Sequence, residues 1–323
     1  MIKIDAHVHF AGDHPDCVAM LDQLELKLLN VCVVHDAGEQ WRAQAAAYCQ
    51  LAQAHPDRYA WCTSFDLPDW TPDYAERVIE GLERDLAAGA VGCKIWKNVG
   101  MALRKPSGEF LMVDDPLFDP LYACLAREGV PLLMHIGEPL ACWQPLCEGA
   151  LHSGYYSQHP EWHMYGKAGY PSHGEIIAAR DRVLARHPDL RAVGAHLGSL
   201  EYDVAEVARR LDRYPNLAVD VSARLADLAG QDRETVRSFF LACQDRILFG
   251  TDIVQREPFS ALPASERQGR LARVQETYQA QWAYFESDQV VALGGREVQG
   301  LGLPAHVLQK LYGANAARWY PGL

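Results

Sequence analysis

The sequence predicts an α/β protein built as a (β/α)8 TIM barrel, and three observations carry that expectation. Eight short apolar runs rich in β-branched residues recur along the 323 residues, mostly with helix-like segments between them. A doubly wound open sheet would carry a glycine-rich phosphate turn after its first strand; here that place holds His7-Val8-His9-Phe10. Finally, several of the runs carry a histidine or aspartate at or just past their C-terminal ends, where a barrel assembles its site.

In chain order the runs are Ile2–Val8, Val31–Val34, Tyr59–Ser64, Val91–Trp96, Pro131–His135, Arg191–His196, Asn216–Val221 and Arg246–Thr251. Between the third and fourth, Tyr74–Ala88 sets Ala75, Val78, Ile79, Leu82 and Leu86 at helical spacing. Strand alternating with helix implies parallel strands joined by crossovers, and eight such units point to a closed barrel. Three segments exceed an ordinary connection. Ala102–Phe118 is polar, Pro/Gly-punctuated and loop-like. Ile136–Ser172, the long loop after strand five, carries Trp143, Tyr155, Tyr156, Trp162, Tyr165 and Tyr170 without periodicity and is expected to form a lid. Ile253–Leu303, the insertion after strand eight, holds one helix with Leu271, Val274, Tyr278, Trp282 and Phe285 on a face, then a hairpin over Val290–Leu301 around Gly294-Gly295. A last helix near Pro304–Trp319 closes the barrel. No repeat or linker divides the chain, so residues 1–323 are expected to form one domain.

Composition excludes several function classes. The chain is 49% hydrophobic and 22% charged, without an apolar run long enough to span a bilayer. The formal net charge of −12, with no basic block, argues against nucleic-acid and membrane-surface binding. Nine cysteines, odd in number and without a CxxC pair, fit free thiols in a reducing compartment. With no apolar leader before Asp5, a cytoplasmic location is expected. The expected partner is a small-molecule substrate, with homo-oligomer formation left open.

The chemistry concentrates in five residues. His7 and His9, two apart on a strand, point to the same face, so both imidazoles can converge on one ion. His135, His196 and Asp252 each stand at the C-terminal end of a later run. Four imidazoles and a carboxylate at one barrel mouth make a nitrogen/oxygen site suited to a divalent ion, zinc foremost.

Asp5-Ala6-His7-Val8-His9, Met134-His135, Gly194-Ala195-His196-Leu197-Gly198, Gly250-Thr251-Asp252 and the terminal Lys310–Arg318 resemble the amidohydrolase superfamily, and within it the amidohydrolase-2 branch of hydrolases, lactonases and aminocarboxymuconate-semialdehyde-decarboxylase-like enzymes. Matching segments run from residue 2 to about 320. The resemblance implies one divalent metal ion held by His7, His9, His135 and Asp252, with His196 as the catalytic proton carrier and Asp252 doubling as a base. Elementary chemistry agrees: a divalent ion lowers the pKa of water towards about 7, and an imidazole shuttles protons at neutral pH.

Other residues have weaker claims. Lys94 alternates away from Cys93 and Ile95, which turns it into the barrel, where an uncarbamylated amine can meet an anionic group of the substrate. Arg224 can clamp a substrate carboxylate or pair with a neighbouring acid. Lys97 is expected to be solvated. Glu138 is either an imidazole-orienting partner or a loop acid, and His35 either faces the pocket or is structural. His152, His159, His163 and His173 read as polar surface, and the loop aromatics as packing. The expected activity is metal-dependent hydrolysis of a small lactone, ester or amide. Non-oxidative decarboxylation of an unsaturated or aromatic acid is the alternative; the decarboxylases usually carry Gly-Glu where this chain has Gly198-Ser199, which favours hydrolysis.

Overall fold

The computed structural model describes residues 2–35 and 40–323. Its parallel strands β1 (Lys3–Phe10), β2 (Leu26–Val31), β3 (Tyr59–Cys62), β4 (Cys93–Ile95), β5 (Leu132–Met134), β6 (Ala192–Gly194), β7 (Leu217–Asp220) and β8 (Ile247–Leu248) follow one another in chain order. β1 to β3 form one ladder and β4 to β8 another. A parallel bridge between Thr63 and Cys93 joins them at one seam. At the other, Ala6 N donates to Phe249 O at 2.9 Å and Asp252 N donates to His7 O at 2.8 Å. A two-residue strand, β9 (Val254–Gln255), extends this second seam beside His9 and Phe10. The expected eight-stranded α/β barrel is therefore the observed one, with helices such as Tyr74–Ala87, His173–Arg186 and Val204–Arg213 in the crossovers.

The second strand is displaced from its expected place, starting at Leu26 instead of Val31. Lys27 and Asn30 break the apolar run there. Asn30 is nevertheless fully buried, its Oδ1 accepting from Phe10 N at 2.7 Å. Cys32, Val33 and Val34 are apolar because they run on beneath other elements after the strand has ended.

Inside the barrel, Ile4, Ala6, Leu29, Val31, Ala60, Cys62, Leu133, Val193, Ala195, Ala218 and Leu248 form a cluster of their own, with Ala316, Trp319 and Tyr320 of the C-terminal segment packed into it. The last helical stretch, from Ala305 to Trp319 with a π turn over Lys310–Ala314, is tied to the strands by Phe249 N to Leu311 O and by Asn315 Nδ2 to Ile247 O. Buried apolar area is worth roughly 25 cal/mol per Å², so these wholly enclosed residues are the stable base on which the upper rim rests.

Alternation along β1 is broken once. Asp5 pairs with Leu28 but Val8 pairs with Asn30, so β1 carries one extra residue between them, a β-bulge. Ile4 and Ala6 face the interior below the bulge, and His7 and His9 face it above, while Val8 and Phe10 join the outer core. Without the bulge His7 would share the outward face of Asp5.

The segment from Ile136 to Ser172 is closely tied down. Met164 N donates to Cys142 O at 2.9 Å, Trp143 Nε1 to Pro171 O at 3.0 Å, and Leu140 N to Glu201 Oε1 at 2.8 Å. The insertion after β8 contains the helix Ala264–Glu286 and the antiparallel hairpin β10 (Val290–Leu293) with β11 (Arg296–Gln299), as expected. Among the described residues, no helix is long and apolar enough to cross a membrane.

Candidate metal centre

At the C-terminal rim of the strands the polar residues picked from the sequence converge. His7, His9 and Asp252 bring their ligand atoms within 4.8 Å of one another. Asp252 Oδ1 lies 3.8 Å from His7 Nε2 and 3.4 Å from His9 Nε2. His196 packs its ring 4.9 Å from that of His7 and 4.4 Å from that of His135, centroid to centroid. His135 therefore borders the centre across His196, standing apart from the compact group of three. All four imidazoles are buried, and Asp252 is half-buried.

Backbone departures aim these groups. His196, Leu197, Ser199, Ala223 and Asp252 all have positive φ, between 55° and 60°, a region that non-glycine residues occupy at a cost and that clusters at functional sites. On β6 the interior positions are Val193 and Ala195, so simple alternation would send His196 outward; the left-handed turn brings it back in. Gly250 leaves room for this arrangement, because a Cβ there would come within 3.1 Å of His7 Cβ and 3.2 Å of Ser222 Cβ.

Electrostatics keep most of the imidazoles uncharged. Burial lowers the pKa of His9 to about 4, the Asp252 contact opposing it. Burial also holds His135 and His196 well down, helped by the His196 ring and lysines for the former and by Arg224 for the latter. Neutral imidazole is the form that ligates a metal. Burial alone would push Asp252 up, but the His9 contact and the neighbouring imidazoles keep it well below the ordinary carboxylate range. Among the described residues, His9 Nδ1 and His135 Nε2 are buried without a hydrogen-bond partner. Orphaned polar atoms on two neutral imidazoles beside an ionised carboxylate suit a bound cation. The donor set thus fits a divalent ion.

Lys94 does point into the barrel. Its backbone is level with Leu133, Val193 and Ala218, one layer below the rim, and its Nζ reaches up to 3.0 Å from His7 Nε2. Burial lowers its pKa. Arg224 is buried, with Nη1 donating to Ala223 O at 2.9 Å and Nε unpartnered, and no carboxylate pairs with it among the described residues. Lys97 departs from the solvated role expected of it: it is buried and ion-paired with Glu138, and its Nζ donates to Tyr155 OH at 3.1 Å and sits over the Trp162 ring at 4.4 Å. Glu138 consequently serves Lys97 and Tyr156 OH, with no imidazole hydrogen-bonded to it among the described residues. The reason is topological. The loop after β5 folds back over the end of β4, so two residues distant in sequence close one buried pair. His35 is exposed on the rim, its ring 4.2 Å from that of Trp96. The loop histidines have separate partners: His152 with Asp227, His159 with Glu161, His163 with Gln144 O and His173 with Ser199 O.

Sequence reasoning passed over three residues around the centre. Asp220 Oδ2 lies 2.9 Å from His7 Nδ1. Ser222 Oγ lies 3.1 Å from His7 Nδ1 and 2.9 Å from His196 Nδ1. Asp5 binds Thr251 Oγ1 at 2.6 Å and Tyr278 OH at 2.8 Å, together with the amides of His7 and Thr251, and burial lifts its pKa to about 6. Asp5 so staples β1 to the end of β8, beside three of the candidate ligands. The signal available for Asp220 was an acid in an otherwise apolar run, Asn216–Val221.

Among solved structures, the chain is similar to 5-carboxyvanillate decarboxylase from Sphingomonas paucimobilis (16% identity, 94% of this chain and 81% of the other, TM-score 0.53). It is similar as well to 4-oxalomesaconate hydratase from Rhodopseudomonas palustris (12% identity, 99% and 96%, TM-score 0.53). A third likeness is to a zinc-bound amidohydrolase from Burkholderia multivorans (16% identity, 99% and 99%, TM-score 0.51). At these identities the likeness shows the shared fold. No curated protein sequence matches the chain significantly. The sequence profile described as amidohydrolase, that of the amidohydrolase-2 family, matches residues 4–322, nearly the whole length. The chain belongs to the amidohydrolase-2 family.

Proposed function

We propose that this protein is a metal-dependent hydrolase of a small lactone, ester or amide. The observation that carries the reading is the buried convergence of His7, His9 and Asp252 beside His196 and His135, whose Nε2 has no hydrogen-bond partner among the described residues, at the mouth of a barrel in a family of metal-dependent enzymes. One divalent ion, zinc foremost, would be held by His7, His9, His135 and Asp252. When bound, it supplies Lewis-acid polarisation of the scissile carbonyl and acidification of water.

The chain's own residues supply the rest. His196 is neutral and buried, with Nδ1 engaged by Ser222 O at 2.9 Å. Its Nε2 is then the atom that takes a proton from attacking water and returns it to the leaving group. Asp252, held ionised by its imidazole neighbours, can accept a proton with the carboxylate oxygen left over from ligation. Lys94 and Arg224 are the cations proposed to meet an anionic part of the substrate, and the guanidinium of Arg224, which meets no carboxylate among the described residues, suits a bidentate carboxylate contact.

Ser199, where the decarboxylases usually place glutamate, favours hydrolysis over loss of carbon dioxide. Zinc-loaded protein should therefore turn over a member of a panel of lactones, esters, amides and aromatic carboxylates with water uptake and no gas. If the only active substrate releases stoichiometric carbon dioxide, the reaction is decarboxylation.

A further inference from the structure

We infer that Asp220 and Ser222 are positioning residues that set two histidines at once: the coordinating face of His7 and the proton-carrying face of His196. This rests on the reading of His7 as a ligand and His196 as the proton carrier.

A neutral imidazole has one N–H and one lone pair, and the partner of either nitrogen decides the role of the other. The Asp220 carboxylate can only accept, so Oδ2 at 2.9 Å keeps a proton on His7 Nδ1 and leaves the lone pair on Nε2, the nitrogen nearer Asp252. The carbonyl of Ser222 likewise only accepts, so it keeps a proton on His196 Nδ1 and leaves His196 Nε2 basic. Asp220 Oδ1 accepts from His196 N at 2.8 Å, from Ser222 N at 3.1 Å and from Ser222 Oγ at 2.5 Å. Its bond to the His196 amide falls on the residue whose φ of 58° turns the imidazole inward. The Ser222 hydroxyl spends its proton on Asp220 and turns its lone pairs to both imidazoles, at 3.1 and 2.9 Å. Among the described residues, all four hydrogen bonds of the Asp220 carboxylate thus go to His7, His196 or Ser222, and both Asp220 and Ser222 are fully buried. A carboxylate serving only the fold would not confine its bonds to one site imidazole, the backbone amide that turns the other imidazole inward, and the serine between them. One carboxylate therefore links metal affinity to proton transfer.

The test is Asp220→Asn, read in the metal-free protein by ¹⁵N NMR of labelled histidine and then by zinc titration. The asparagine oxygen goes to the backbone amides and its NH2 faces His7 Nδ1, so the carboxylate that holds the His7 proton on Nδ1 is replaced by a donor. The expected result is a His7 signal of the Nδ1–H form in the wild type and of the Nε2–H form in the variant, with zinc affinity lower by roughly 10–100-fold. A folded variant whose His7 keeps the Nδ1–H form and whose zinc affinity is unchanged overturns the inference. Should Asp220→Asn not fold, Ser222→Ala carries the test: the signals of both His7 and His196 should move together, and signals that stay in place refute the shared hub. Wild-type protein that binds no zinc would sink the metal reading, while the wild-type and variant tautomers would still decide the role of Asp220.

Discussion

In the lower half of the barrel, interior side chains follow plain alternation: Leu133, Val193 and Ala218 stand level on β5, β6 and β7, with the C-terminal Trp319 and Tyr320 packed into the same cluster. In the upper half, His7 and His196 stand inside because the backbone abandons alternation, through a bulge on β1 and a left-handed turn after β6. Both halves are buried, but they are held by different means. The interior side chains of the lower layer meet through apolar contact. The upper layer is maintained by polar staples, Asp5 across β1 and β8 and Asp220 across β1, β6 and β7, which hold conformations that a relaxed chain would leave. Barrel folding and site geometry are therefore separable properties, and substitutions should separate them.

The largest effect is expected in the upper layer. His196→Asn should retain the metal and lower kcat on the order of 10²–10⁴-fold, the range for loss of a general acid–base group. Joint loss of metal and activity would make His196 a ligand. In the lower layer, Leu133→Ala should cost about 2–5 kcal/mol in denaturant unfolding, through lost burial and a cavity. Its zinc affinity should stay at the wild-type value; a matching fall in zinc affinity would mean that the two layers are not separable. Lys94 is rooted in the lower layer and reaches the upper one. Lys94→Met should raise KM for an anionic substrate by roughly 10–100-fold, the worth of one hydrogen bond to a charged group, with metal content near one per chain. A content of two that halves in the variant would make this lysine a bridge between two ions.

How much of this was legible in the sequence follows the same division. Eight apolar runs and their order marked the barrel, because parity and burial leave a pattern in residue type. His7, His9, His135, His196 and Asp252 were legible as polar residues ending those runs. The β1 bulge left no mark, since nothing in Asp5-Ala6-His7-Val8 distinguishes a strand with an extra residue from one without. Asp220 was visible only as an acid in an apolar run, and its partners His7 and His196 lie 213 and 24 residues away. The Lys97–Glu138 pair was missed for a similar reason, because only the return of the loop over β4 brings them together.

His7 and His9, turned inward together above the bulge, are proposed to hold a divalent ion with Asp252 and His135. Elemental analysis of purified wild-type protein and of the His7→Ala/His9→Ala double variant tests this proposal most directly. One equivalent of a divalent metal, zinc foremost, is expected in the wild type and almost none in a double variant that still shows the wild-type circular dichroism spectrum. A double variant that retains a full equivalent would contradict it.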